Sequence, residues 1–500
     1  MNLEPLKFDT MEVNTSLAKI FFEDHPNLVE QVTKTDSEND TYLRGAIEDL
    51  PDKFKKLVKL IEKNTDLFCQ LEYLTRKFPV KTTKNNDLKL LVNYLNYHSI
   101  CNEPVTVRNI IKIPTITISD TTPLVNLGLI ADVFLAEFKE AILISTTRNV
   151  AVCTLFNELC EEAGLSVLLK IRSQDSASVS HFEKDWGSCV GIITRRSDIE
   201  SAVDVFLNAP IMNIWAVQMI YVEESAIERF KQLIGSKAIQ KTEKLSQFST
   251  DTYHYNNKVY LFEFIKDTVA QSTPSQMYIP ILTYRTVKDL LSLINTSLCV
   301  SLWSSDVAES NEIANSLKSS IVWINDFGNF NGSSRIAQSY FSRLNLTNNK
   351  IQTKLTPTIQ HLMKLRSEWV KKDIYVRREL VLGFKGIKGK RTINFDMDIV
   401  DIGNDFMCVG KVMPVEIVYL EDISLDDVVR AITRGSGVLY YSKGDDYTDE
   451  YYSYLTKINA PIVFLENELS DSYEGEVSVY KTPSGWTKAI WTSFGTIFAN

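Results

Sequence analysis

Ala141-Ile-Leu-Ile-Ser145, the stretch Asn149 to Ala163, Gly164, and Ser166-Val-Leu-Leu-Lys-Ile171 decide the fold. The first run is short and wholly apolar, as expected of a strand covered on both faces of a parallel sheet. The second has the length and apolar spacing of a helix, and Gly164 falls where a left-handed residue closes one. The third run is again a strand, so the three together form one βαβ unit. Downstream the alternation continues. Val190-Gly-Ile-Ile-Thr194 reads as a strand, and Ser197-Asp-Ile-Glu200 as a capping box opening a helix. Val217–Glu223 is a strand, and Ser225-Ala-Ile-Glu228 is a second capping box for a helix ending at Gly235. Strands are predicted at Val259–Ile265, Tyr278–Tyr284, Cys299–Ser304 and Ile321–Asn325, with helices at Val287–Asn295 and Val307–Leu317. Such alternation means α/β architecture with mostly parallel sheets. Upstream, residues 1–110 read as mainly helical. Phe54, Leu57, Val58, Leu60, Ile61 and Leu67 stand at helical spacing within Leu50–Lys77, and a second helix is predicted over Asp87–His98.

The chain has 500 residues, 44% hydrophobic and 23% charged, the balance of a globular protein with several domains. Lys plus Arg number 54 against 63 for Asp plus Glu, a net charge of −9, which makes nucleic acid an unsuitable partner. Only 19 residues are glycine, leaving few places where a backbone can cradle phosphates. The seven cysteines show no CxxC spacing, and their odd number argues for reduced thiols in the cytoplasm. The first residues contain no apolar signal-peptide core, and no apolar run approaches bilayer-spanning length, so no membrane association is expected.

Two segments echo each other. Asp289-Leu-Leu-Ser-Leu-Ile294 precedes Val300-Ser-Leu-Trp-Ser304 and Ile321-Val-Trp-Ile-Asn325. Asp427-Val-Val-Arg-Ala-Ile432 precedes Val438-Leu-Tyr-Tyr-Ser442 and Ile462-Val-Phe-Leu-Glu466. The first two blocks of each superpose without a gap, which predicts an internal repeat.

Several ordered strings resemble the aldehyde dehydrogenase superfamily. They are Glu161-Glu-Ala-Gly-Leu165, Ser197-Asp-Ile-Glu-Ser-Ala-Val203, Ile220-Tyr-Val-Glu-Glu224 and Glu228-Arg-Phe230, then Pro280-Ile-Leu-Thr-Tyr284, Ser301-Leu-Trp-Ser304 and Ile321-Val-Trp-Ile-Asn-Asp326. The resemblance spans roughly residues 40 to 345. A degenerate second dehydrogenase-like region behind the first is similar to the family-16 aldehyde dehydrogenases, some of which lack the catalytic cysteine. Ala18-Lys-Ile-Phe21, Tyr97-His98 and Trp486-Thr-Lys-Ala-Ile-Trp491 resemble that group too. The resemblance implies an aldehyde dehydrogenase-like α/β fold: a Rossmann-type parallel sheet, a catalytic-type α/β subdomain and a degenerate C-terminal repeat. The implied organisation is a helical part over 1–110, a truncated dinucleotide-type subdomain over 111–190, a catalytic-type subdomain over 191–345, and a second partial repeat over 346–500.

The chemistry the resemblance implies is missing at each position. The cysteine nucleophile that forms a thiohemiacetal is due between Asn213 and Trp215, where Asn213-Ile214-Trp215 offers no thiol or hydroxyl. The oxyanion-stabilising asparagine is replaced at Thr121. The general-base glutamate falls near Glu183, with Trp186 and Ser188 where glycine and lysine belong. The lysine for the adenine ribose is replaced around Ile144-Ser145, and the glutamate for the nicotinamide ribose near Thr273. Gly164 and Ser197 are 197 − 164 = 33 positions apart, too close to hold the family's intervening helix and pyrophosphate turn, and Leu168–Glu183 contains no glycine.

Other constellations are bland. Gly383-Phe-Lys-Gly-Ile-Lys-Gly-Lys390 misses P-loop spacing and reads as a solvated turn. His25, His98, His181, His254 and His361 have no metal-ligand spacing and read as surface or helix-end residues, so no metal is expected. Tyr440, Tyr441, Tyr447, Tyr451, Tyr452 and Tyr454 suit core, one amphipathic helix or a protein interface. The expectation is a catalytically inactive, cytoplasmic aldehyde dehydrogenase-like protein without cofactor, binding protein partners, itself or an active relative. Two alternatives remain. One is an NAD(P)-dependent oxidoreductase using Cys189 with Glu183, although Cys189 opens an apolar strand where thiols are commonly inert. The other is a small-molecule binding module using the vacated tunnel.

Overall fold

A computed structural model describes residues 15–26, 28, 43–100, 114–120, 122–172, 188–210, 214–241, 251–262, 277–294, 297–330, 334–348, 350–384, 399–403, 405–421, 425–441, 448–465, 467–469, 475–481 and 485–493. The chain forms two compact units. One comprises residues 1–337, 401–408 and 489–500, and the other residues 338–400 and 409–488. Among the described residues no helix is long and apolar enough to cross a membrane.

The first unit begins with helices α1 (Ser16–Asp24), α2 (Leu50–Lys63), α3 (Thr65–Arg76) and α4 (Leu88–Ile100). The helix expected over Leu50–Lys77 is therefore two. Asn64 breaks it, because its side-chain amide bonds back to the Leu60 carbonyl at 2.9 Å and satisfies the end of α2. Helix α2 buries Phe54, Leu57, Val58 and Ile61, while Lys55, Lys56 and Lys59 face outward. A single π-helical turn, Thr83–Asp87, leads into α4.

The βαβ unit is as the sequence suggests. Strands β1 (Thr115–Thr117), β2 (Glu140–Thr146) and β3 (Ser166–Arg172) form a parallel sheet in that order. Helix α5 (Val150–Ala163) joins β2 to β3 and is closed by Gly164 at φ +81°. The Leu165 N–H there reaches back to the Cys160 carbonyl at 2.9 Å.

The larger sheet has eleven strands: β4 (Ser188–Ile193), β5 (Val217–Glu223), β6 (Ile239–Lys241), β7 (Asp251–Tyr255), β8 (Lys258–Phe262), β9 (Met277–Tyr284), β10 (Ser297–Trp303), β11 (Ile321–Ile324), β13 (Ile399–Ile402), β14 (Phe406–Met413) and β19 (Trp486–Ser493). Their order is β13-β14-β19-β11-β10-β4-β5-β9-β8-β7-β6. From β19 to β8 neighbours are parallel, and β8-β7-β6 is an antiparallel meander turned at Asn256, whose φ is +51°.

Helices α6 (Ile199–Asn208), α7 (Ile227–Lys237), α8 (Val287–Leu293) and α9 (Val307–Ser316) connect these strands. Both expected capping boxes need correction. Asp198, not Ser197, caps α6 by accepting from the Ser201 N–H, while the Ser197 hydroxyl donates to the Thr194 carbonyl. Glu224–Ala226 forms a 3₁₀ turn, so α7 starts without a side-chain cap and runs through Gly235 to Lys237. The C-terminal end of α6 is held instead by Lys258. Its ammonium donates to the Phe206 and Leu207 carbonyls at 2.9 and 2.7 Å, in keeping with a cation's preference for that end of a helix. Burial pushes this ammonium down to about 7.

In the second unit, β12 (Lys350–Thr353), β18 (Val477–Tyr480), β15 (Ile417–Glu421), β16 (Gly437–Tyr441) and β17 (Ile462–Phe464) form a sheet in that order, parallel except for β12 against β18. Helices α11 (Pro357–Trp369), α12 (Ile374–Leu382), α13 (Leu425–Arg434) and α14 (Thr448–Lys457) belong to this unit, and α10 (Ser334–Asn348) enters it at Gln338. Alternate residues serve opposite faces. Val418, Val438 and Tyr440 join Val429, Ile432 and Leu455 in one core, and Tyr419 and Leu439 join Ile359 and Leu362 in the other. Two covered faces explain why these strands read as continuous apolar runs.

The echoing segments share local order, α8-β10-α9-β11 and α13-β16-α14-β17, each with its two strands parallel. Their registers differ by one residue, since Val300 faces Val322 whereas Val438 faces Ile462. Tyr440 and Tyr451 are buried, and the Tyr451 and Tyr454 hydroxyls donate to the Val381 and Leu380 carbonyls at 3.2 and 2.5 Å. These tyrosines serve packing. Tyr447 and residues 385–390 of the glycine–lysine cluster lie outside the described residues. His254 stands within strand β7 rather than at the surface or a helix end, and His181 is outside the described residues.

Candidate active-site region

Of the positions singled out in the sequence, Ile144, Cys189, Ile214 and Trp215 are described, whereas Thr121, Glu183, Asn213 and Thr273 are not. Ile214 and Trp215 lead into β5, where the nucleophile is due. Trp215 is fully buried. Its ring meets Phe330 edge to face at 4.8 Å, and Phe330 in turn meets Trp323 at 5.5 Å. The Asn93 amide donates to the Phe330 carbonyl at 2.8 Å and fixes this aromatic stack to α4. A buried indole thus stands at the end of the window, Asn213 to Trp215, in which the resemblance places the nucleophile.

The indole N–H donates to Asp87 Oδ1 at 2.8 Å. Asp87 closes the π-helical turn, and burial raises its carboxyl to about 6, opposed by the Trp215 bond and by Arg76. Glu72 on α3 pairs with Arg76 one turn on, at 2.8 Å, with both side chains almost wholly buried. Burial lifts Glu72 to about 7 against the pull of Arg76, while nearby Asp87 raises it further. Two acids therefore share the field of one arginine behind the indole. The sequence reading missed this network. Its only local signal is the i,i+4 pair Glu72–Arg76, and the Asp87–Trp215 contact joins residues 128 apart in the chain.

The thiols are not primed for nucleophilic attack. Cys189 is fully buried and bonded to Cys299, so it is neither a free thiol nor the displaced nucleophile of the oxidoreductase reading. The expectation of uniformly reduced cysteines is corrected here. Strands β4 and β10 are parallel neighbours, and the shift in their register between Ser297 and Val300 brings two sulfurs 110 residues apart into contact. Cys69, Cys153, Cys160 and Cys408 are buried and form no disulfide among the described residues. Burial pushes Cys69 and Cys153 up to about 12, and Cys160 well above its ordinary value.

At the carboxyl edge of the smaller sheet, where nucleotides settle in such folds, Ile144 is half-buried and faces Lys170 of β3 and Thr117 of β1 in register. Asp120 accepts hydrogen bonds from Thr146 Oγ1 and Asn149 Nδ2, both at 2.7 Å. The fully buried Asn149 also donates to the Ser119 carbonyl and precedes the first turn of α5. A carboxylate and a side-chain amide thus stand together at this edge, ahead of the first turn of α5. Among the described residues no group of acids, histidines and cysteines is placed to hold a metal.

No family model and no curated protein matches this sequence. Solved structures do resemble it. Proline Utilization A from Corynebacterium freiburgense aligns with a TM-score of 0.54 at 11% identity, covering 98% of this chain and 60% of that one. An aldehyde dehydrogenase from Bacillus cereus in complex with NAD+ aligns with a TM-score of 0.44 at 15% identity, covering 61% and 81%. PnpE from Pseudomonas sp. WBC-3 aligns with a TM-score of 0.42 at 13% identity, covering 56% and 77%. At these identities the likeness is one of fold. The chain has an aldehyde dehydrogenase-like α/β fold.

Proposed function

We propose that this chain is a non-catalytic protein of aldehyde dehydrogenase-like fold that binds no NAD(P) and works through protein partners, a second copy of itself included. The observation that carries the reading is the buried Trp215, hydrogen-bonded to Asp87 where a reactive cysteine would stand. The Asp120–Thr146–Asn149 network supports the absence of a cofactor, because it sets a negative charge at the nucleotide edge of the sheet. Association is supported by the sheet's two ends. Edge strand β13 exposes Ile399, Val400 and Ile402, and edge strand β6 exposes Ile239. Apolar edge strands with unpaired backbone groups are templates for pairing.

The oxidoreductase reading requires the Cys189–Cys299 bond to open first, and the small-molecule reading requires the Trp215 indole to move aside. Neither has an observation in its favour. Calorimetric titration of the full chain with NAD+ and NADP+ is expected to give no saturable heat at millimolar coenzyme. Saturable binding would remove the no-cofactor reading. A single monomeric mass in native mass spectrometry, at concentrations up to tens of micromolar, would remove self-association.

A further inference from the structure

The corner between α11 and α12 exposes Val370, Ile374, Tyr375 and Val376. That is four large apolar side chains in seven residues, more than in any other stretch of that length among the described residues. Tyr375 is 68% exposed. Fraying does not explain the exposure, because the corner is anchored. Trp369 is fully buried and its indole N–H donates to the Ile432 carbonyl at 2.9 Å. The Arg366 Nε–H donates to the Gly435 carbonyl at 3.0 Å, and Asp373 caps α12 by accepting from the Tyr375 N–H at 2.8 Å. Basic residues surround the apolar ones. Lys364–Glu379 holds six basic and three acidic residues, a net +3 in a chain of net −9. Lys364, Lys371 and Arg378 are exposed, and Lys372 is half-buried. Lys371 pairs with Glu368 at 2.6 Å, but an ion pair this open to solvent neutralises little.

We propose that this corner docks the chain peripherally on an anionic membrane surface. Successive helical residues point about 100° apart, so Ile374, Tyr375 and Val376 cannot all face one flat protein surface. A lipid interface closes around an inserted tip and takes up all three. The neighbouring lysines and arginines keep their charges at the headgroups while their stems lie along the apolar layer. Each adds attraction to anionic lipid within a Debye length of the surface, whereas the negative charge on the rest of the chain lies farther off and is screened. Such contact needs neither a spanning helix nor a signal segment. It does not depend on whether the chain is catalytic or pairs with itself, and its test reads neither.

The full chain is mixed with phosphatidylcholine vesicles, alone or with about one-third phosphatidylserine, and bound protein is separated by flotation. Binding is expected only with phosphatidylserine present, falling at least ~10-fold as salt rises from about 0.05 M to about 0.5 M. Lys371→Gln/Lys372→Gln should weaken it about fivefold per charge removed. Ile374→Ser/Tyr375→Ser/Val376→Ser should weaken it at least ~10-fold with the charges intact. Thermal midpoints check that both variants fold. If the triple variant does not, Tyr375→Ser alone decides, with a severalfold loss expected. No binding, equal binding to both vesicles, or unchanged binding by the serine variant overturns the proposal. So does capture of polyglutamate without vesicle binding, which would mark a site for an acidic protein segment. A native dimer lost in the serine variant, again without vesicle binding, would mark a self-contact and overturn it equally.

Discussion

Trp215→Ala is expected to destabilise the first unit by about 4 kcal/mol, the cost of emptying a fully buried aromatic site. Two terms add in the same direction. The indole's volume is lost beside Phe330, and Asp87 loses the indole N–H that favours its ionised form. Trp215→Phe separates them, because it keeps most of the packing and removes only the N–H. It is expected to cost about 2 kcal/mol. Urea unfolding of both variants against the parent chain measures the difference. An alanine variant within about 1 kcal/mol of the parent would mean that the indole is a surface plug rather than part of the core. That result would remove the physical basis for calling the site closed.

The second large effect is on pH dependence. Burial holds Asp87 near 6 and Glu72 near 7, both above ordinary carboxylate values. A group with a raised folded pKa binds protons more tightly when folded, so its stabilising contribution is complete below the unfolded value. It is lost as pH rises through the folded value. The pair therefore makes the first unit more stable at pH 5 than at pH 8. For Asp87, moving from 3.8 to about 6 is worth on the order of 3 kcal/mol over the whole titration, roughly half of it between pH 5 and pH 8. His25, lowered by burial but raised on balance by the Phe21 carbonyl and Glu158, acts in the same direction. Buried His98, lowered to about 4, and Lys258, lowered to about 7, act in the opposite one. The observable is thus a difference. Thermal midpoints of the parent and of Glu72→Gln/Asp87→Asn, taken at pH 5 and pH 8, should show the variant gaining relative to the parent at pH 8. Equal slopes in the two proteins would show that these acids are not held protonated by burial.

Local signals in the sequence were faithful where the structure is decided locally. Ala141–Ser145 and Ser166–Ile171 lie in adjacent parallel strands, and Gly164 closes the helix between them at positive φ. The same reasoning failed where two residues competed for one role. Ser197 and Asp198 both suit a helix start, and the carboxylate won because Ser197 bonds backward to Thr194. Tyr255-Asn-Asn-Lys258 carries the turn signal of the β7–β8 hairpin, with Asn256 at φ +51°.

The site divides in the same way. That Asn213-Ile214-Trp215 holds no thiol or hydroxyl was legible in the chain itself. What surrounds Trp215 was not legible. The Trp215–Asp87 bond and the Cys189–Cys299 bond both depend on which distant segments the fold makes neighbours. No spacing in the chain encodes that β10 lies beside β4, because β5 to β9 all intervene in sequence but not in space.

The proposed lack of catalysis is tested most directly by coenzyme reduction with the purified, phosphine-reduced chain, offered NAD+ or NADP+ with short aliphatic, long aliphatic and aromatic aldehydes. It predicts no turnover above the protein-free rate. Aldehyde-dependent reduction that disappears when one cysteine is replaced by alanine would contradict it.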